Sequence, residues 1–252
     1  MKDAGVPALG RGFAILDLLA KEPGLKFSEI QTRIGLPKSS THLLVASLVE
    51  LGVLRQQAEG GFVLGLRLFE LGAAAVGQRR IDREAHPVLS ALAAQETLTC
   101  HLGVLEGHQA VYLARVESEQ EIKVNTWVGR RLSLNRSALG KVLLAWLPEA
   151  EIAALFEHIA WEAKTPKTIV DGPTLMVDLA MVRRRGWAFD DEEDAINIRC
   201  IAAPIHDDRG KVIAAISAVG TVLQIVDKRL DALAAKVVKA ADDISAILSA
   251  RR

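Results

Sequence analysis

Apolar residues recur at helical spacing from the start of the chain. Leu9, Phe13, Ile15, Leu16, Leu18 and Leu19 mark a first helix, which Glu22-Pro23-Gly24 stops. Ser28-Glu29-Ile30-Gln31 has the form of a capping box, with the Ser28 hydroxyl accepting from the Gln31 amide, and opens a short second helix ending at Gly35. A third helix follows Pro37, beginning in the polar run Lys38-Ser39-Ser40-Thr41-His42 and closing in Leu43, Leu44, Leu48 and Leu51 before Gly52. Val53-Leu54-Arg55 and Phe62-Val63-Leu64, joined through Ala58-Glu59-Gly60-Gly61, read as a hairpin. Three helices and a hairpin make one small domain, a winged helix-turn-helix over residues 1–66.

Helical spacing resumes from Leu66 to Gln78, through the small-residue stretch Leu71-Gly72-Ala73-Ala74-Ala75. This predicts a linker helix over 67–80, partly exposed and available for self-association. In the remainder, residues 81–252, the pattern predicts helices at 82–95, 138–147, 149–158, 174–185 and 225–250. Strands are expected at 99–105, 110–116, 122–128, 187–189, 199–206 and 212–219, with turns at Glu106-Gly107-His108 and Asp207-Asp208-Arg209-Gly210. Strands joined by hairpins and flanked by helices indicate an α+β domain built on an antiparallel sheet.

Composition changes this picture little. Basic and acidic residues balance at 31 each in 252 residues, so any contact with nucleic acid depends on local placement of charge. Two cysteines, Cys100 and Cys200, are too few for a disulfide framework and fit a reducing compartment. The start has no secretory pattern and no apolar run is long enough for a spanning helix, so a soluble cytoplasmic protein without membrane contact is expected.

The second helix of a helix-turn-helix lies in the major groove, with its first residues on phosphates and base edges. Here those are Lys38, Ser39, Ser40, Thr41 and His42, with Ser28 on the preceding helix and Arg55 in the wing beside them. Taken alone, the segment also fits a well-capped surface helix. The chain resembles the IclR family of bacterial transcriptional regulators in Gly35-Leu36-Pro37-Lys38-Ser39-Ser40-Thr41-His42 and in the Leu64-Gly65 pair after the wing. The resemblance continues in order through Ser137-Ala138-Leu139-Gly140-Lys141, Gly186-Trp187-Ala188-Phe189-Asp190 and Arg199-Cys200-Ile201-Ala202-Ala203-Pro204. It implies a GAF-like effector-binding domain after the winged helix, assembly as dimers or dimers of dimers, and a palindromic double-stranded DNA operator. Leu43 and Val63 depart from it, standing where members often carry basic residues.

For an effector, Ser137 reads as the cap of a helix whose first amides, at Ala138, Leu139 and Gly140, face outward, with Arg136 adding a cation. A plain N-cap is the alternative. The resemblance makes these amides carboxylate donors and places Asp190, Cys200 and Ser217 around the effector. It departs at Asn135, Asn197 and Val219. A small organic acid is therefore expected, modulating operator binding. His101, His108 and His206 lack ligand spacing, so no metal is expected. Gly140-Lys141 lacks a phosphate-binding loop, and no cofactor is expected. A small α+β enzyme using Asp190, Cys200 or His206 and a winged-helix protein-interaction module are the alternatives. Nothing pairs a nucleophile with a base, so no catalytic residue is assigned.

Overall fold

The computed structural model describes residues 6–77, 80–117 and 124–250. They form two compact units, residues 1–78 and 79–252, with the linker helix grouped in the first.

The first unit runs α1 (Pro7–Lys21), β1 (Leu25–Lys26), α2 (Phe27–Ile34), α3 (Lys38–Glu50), β2 (Leu54–Gln56), β3 (Gly61–Leu64) and α4 (Leu66–Gly77). The apolar stripes of the helices meet in a core of Ile15, Leu19, Leu25, Ile30, Val45, Leu54 and Phe62. The predicted hairpin is present, and β1 adds a third strand to it, in the order β1-β3-β2. Two residues are too few to show alternation, so β1 has no signature in the pattern. Its pairing depends on Gly61, where a side chain would bring Cβ within 2.3 Å of the Gly24 carbonyl.

Because β1 runs straight into α2, the helix starts earlier than the capping box suggests. Lys26 is the N-cap, and its amide donates to Glu29 Oε2 at 2.7 Å. Ser28 is not the cap: it lies inside the first turn, exposed, and its carbonyl accepts from the Thr32 hydroxyl. Gly35 closes α2 in the left-handed conformation, at φ 70°.

The second unit comprises α5 (Arg80–Glu96), β4 (Thr99–Glu106), β5 (Gln109–Val116), β6 (Arg131–Leu132), α6 (Ala138–Ala145), α7 (Glu149–Phe156), α8 (Gly172–Arg185), β7 (Ala188–Asp191), β8 (Ile198–His206), β9 (Val212–Thr221) and α9 (Asp227–Ala250). Its six strands form one antiparallel sheet in the order β6-β5-β4-β9-β8-β7. Strand alternation sends Leu102, Ile201, Ala203 and Ile216 toward α5 and α9. It sends Cys200, Ala202, Ala215 and Val219 to the opposite face, against α6 and α8. A bulge between Leu102 and Gly103 re-aims β4, and Leu139 of α6 packs where a Gly103 side chain would stand.

The strand expected at 122–128 is not formed as predicted. Ile122 and Lys123 lie outside the described residues, and 124–127 have no regular structure. The chain instead turns at Gly129, whose amide donates to the Tyr112 carbonyl at 2.8 Å, while Tyr112 donates to the Arg130 carbonyl at 3.1 Å. This pinning to β5 leads into the two-residue strand β6.

Candidate functional site

In the first unit, α3 presents Lys38, Ser39, His42 and Leu43 to solvent, with Ser40 half-buried. Pro37, the N-cap, supplies no side-chain hydrogen bond, so the first amides of α3 stay available to an anion. Arg55 projects from β2 and Ser28 from α2, both exposed. Thr41 does not join this face. It is fully buried, and its hydroxyl donates to the Pro37 carbonyl at 3.1 Å. One helical turn separates the positions that share a face, so the neighbours of Ser40 and His42 include one residue that must point into the core. The His42 ring packs edge-on against Phe27, which orients the imidazole. Arg33 is paired with Glu22 and Arg67 with Glu70, whereas Lys38 and Arg55 take part in none of the ion pairs seen among the described residues.

In the second unit, a cavity lies on the α6 side of the sheet. Its walls come from β5 (Tyr112), the segment after it (Thr126, Arg130), the start of α6 (Ser137, Leu139), β7 (Asp190) and the loop after it (Asp194), and the sheet residues Cys200 and Val219. Ser137 is the N-cap of α6: its hydroxyl accepts from the Gly140 amide at 3.1 Å and donates to the Ser133 carbonyl at 2.6 Å. Both roles of that hydroxyl are thereby used within the protein. Gly140, expected among the effector contacts, has its amide engaged by the cap and lies behind the wall, its Cα side pressed on the Ser133 carbonyl. Among the described residues, the amides left without a protein acceptor at this terminus are those of Ala138 and Leu139.

Asp190 is buried, and one of its oxygens accepts from the amides of Glu193 (2.7 Å) and Asp194 (3.4 Å). Burial, reinforced by the charge of Glu193, pushes its carboxyl up to about 8, against the pull of the Glu193 amide and of Lys141. At neutral pH it is a carboxylic acid, able to donate a hydrogen bond into the cavity. Cys200 is also buried, and burial with Asp190 nearby raises its thiol far above the ordinary range. It is a packing surface and not a nucleophile. Ser217 is fully buried beside Cys200, in register between Ala202 and His101, and does not reach the open cavity wall. Its hydroxyl faces the Cys200 thiol.

Arg136 is not free to meet an anion as expected: its Nε donates to Asp194 at 2.6 Å. Arg130, 3.6 Å from the other Asp194 oxygen, is the cation that lines the cavity, and no sequence signal pointed to it. Lys141 was equally illegible as a site residue. It is 1% exposed, with its ammonium donating to the Phe189 carbonyl (2.5 Å) and Glu193 (2.7 Å) and facing Asp178 (3.0 Å). Thereby it ties α6 to α8, to β7, which carries Asp190, and to the loop after it. A lysine inside a helix apolar on every side was the available signal.

Comparisons with known proteins agree with this architecture. Residues 8–58 match the IclR helix-turn-helix domain, and residues 73–246 match the bacterial transcriptional regulator IclR C-terminal domain. The chain is 39% identical to the HTH-type transcriptional regulator RhmR of Escherichia coli, over 98% of this chain and 95% of that one. The crystal structure of the Thermotoga maritima IclR superposes with a TM-score of 0.80 at 30% identity, covering 95% of this chain and 98% of that one. An IclR homologue from Microbacterium hydrocarbonoxydans, solved in complex with 4-hydroxybenzoate, superposes with a TM-score of 0.83 at 26% identity, covering 96% and 98%. With a winged helix-turn-helix followed by this curled antiparallel sheet, and with both domains matched, the chain belongs to the IclR family of bacterial transcriptional regulators.

Proposed function

We propose that this chain binds a palindromic operator through α3 and the wing, and that a small organic acid in the second-unit cavity modulates that binding. The observation that supports the acid is the pairing of the start of α6, where the Leu139 amide has no protein acceptor among the described residues, with the protonated Asp190 and with Arg130 in one cavity. A relative of the same fold holds 4-hydroxybenzoate, an acid with one oxygen besides its carboxylate. The reading is of a regulator and not an enzyme, since Asp190 and Cys200 are both held protonated and neither is paired with a base. A cytoplasmic setting suits both roles; among the described residues, no helix is long and apolar enough to cross a membrane.

We read the chain as a homodimer or dimer of dimers. Leu66 and Phe69 of α4, one turn apart, are each 72% exposed, an apolar patch that a second copy would cover. An effector must bind one arrangement of such a dimer better than another to regulate it. The matching operator half-sites would lie about 34 Å apart or a multiple of it.

Calorimetric titration with a panel of carboxylic acids tests the cavity: micromolar binding of at least one acid is expected, and binding confined to neutral or cationic compounds removes the idea. For the DNA face, Lys38→Ala is expected to weaken binding to the chain's own upstream DNA and to lower the slope of log affinity against log salt by about 1. Ser28→Ala, at the margin of the face, is the milder comparison. A salt slope unchanged by Lys38→Ala would place the phosphate contacts elsewhere.

A further inference from the structure

Behind the cavity wall, His101 is fully buried on β4 and stacked on Tyr112, ring centroids 4.0 Å apart and 13° from parallel. Its Nε2 lies 2.8 Å from Thr126 Oγ1, and Thr126, 4% exposed, lines the cavity. Among the described residues its Nδ1 has no hydrogen-bond partner. Burial, with Arg115 and Arg130 nearby, pushes the imidazole down to about 3, so the ring is neutral and carries one proton.

The position of that proton decides what Thr126 can do. With the proton on Nδ1, a buried N–H would be orphaned, which folded proteins rarely tolerate, whereas an under-used acceptor is commoner. This puts the proton on Nε2, donating to Thr126 Oγ1. The Thr126 hydroxyl then accepts from His101, and its own proton has no acceptor among the described residues.

We propose that Thr126 is a hydrogen-bond donor to the effector, oriented by His101, and that the effector therefore carries an oxygen acceptor besides its carboxylate. Thr126 is the contact residue and His101 a positioning residue. The proposal rests on the acid-sensor reading and adds the discrimination: simple acids should bind less well than keto or hydroxy acids of the same skeleton.

The test is calorimetric titration of the full chain with acids that differ by an added oxygen, benzoate against 4-hydroxybenzoate and propionate against pyruvate. The wild type should favour the oxygenated member of the pair it binds. Thr126→Val should reduce that preference about tenfold, the effect of one hydrogen bond, while leaving the simple acid unchanged. Thr126→Ser should keep the preference. His101→Phe, which preserves an aromatic ring against Tyr112, should lose it as Thr126→Val does, with no further loss in the double variant. Nitrogen-15 spectra of the wild type should show His101 protonated on Nε2.

Protonation on Nδ1 would overturn the donor role, as would an unchanged preference in Thr126→Val or an equal weakening of both acids. Those results leave the acid-sensor reading standing. Failure of the wild type to bind any acid would overturn that reading, and this proposal with it.

Discussion

Lys141→Met should destabilise the second unit by about 3 to 5 kcal/mol, measured by urea unfolding. Methionine fills the same space but removes a charge that two carboxylates and a carbonyl share in the interior. The loss exceeds that of a surface ion pair because Glu193 and Asp178, 10% and 19% exposed in their side chains, stay behind without a cation. Burial already holds the Glu193 carboxyl above its ordinary value, and removing the ammonium raises it further. The folded variant then binds a proton more readily than the unfolded chain does, so its stability should recover in part as pH falls. A loss below 1 kcal/mol, or a pH profile unchanged from the wild type, would show that the three-way contact contributes little. Effector binding should weaken too, because the lysine holds the Phe189 carbonyl and Glu193 on either side of Asp190.

Asp190→Asn should stabilise the chain at alkaline pH and flatten the pH dependence of its stability. In the folded chain the Asp190 carboxyl sits at about 8, against an ordinary 3.8. Between these values the folded state holds a proton that the unfolded state has released, so raising the pH lowers stability, by up to about 1.4 kcal/mol per unit from this one group. Asparagine has no such proton, and its carbonyl can still accept from the Glu193 and Asp194 amides. The variant and the wild type should therefore have equal pH dependence below about pH 4, and diverge in favour of the variant above it. Thermal unfolding from pH 4 to 9 reads this directly. A wild type whose stability rises through that range no less than the variant's would mean that Asp190 is ionised in the fold. The same carboxyl should make acid binding weaken above pH 8, where the cavity wall gains a negative charge.

Periodicity alone located the helices and the paired strands of both units, because a buried face repeats every 3.6 or 2 residues whatever it packs against. The boundaries of α8, β4 and β5 lie within two residues of the pattern. Elements shorter than a period escaped it: β1 and β6, of two residues each, exist because a neighbouring strand offers unpaired backbone. The cap of α2 was misplaced for the same reason, since the pairing of β1 sets where the helix can begin.

For the candidate site, local chemistry was legible and partnership was not. Ser137 before an apolar helix announces a cap, and the α3 polar run announces an exposed terminus. Which polar residues turn inward was decided by the tertiary structure, as Thr41 into the first core and Ser217 beneath the cavity wall show. Sequence by itself determined the two-unit order, the faces of the long helices and strands, and the cap that leaves the Ala138 and Leu139 amides open. Only the tertiary structure brought His101 to Thr126 across 25 residues, Arg136 to Asp194 across 58 and Lys141 to Glu193 across 52. Such pairs share no local period. Whether a buried group is charged, neutral, donor or acceptor depends on what the fold places beside it.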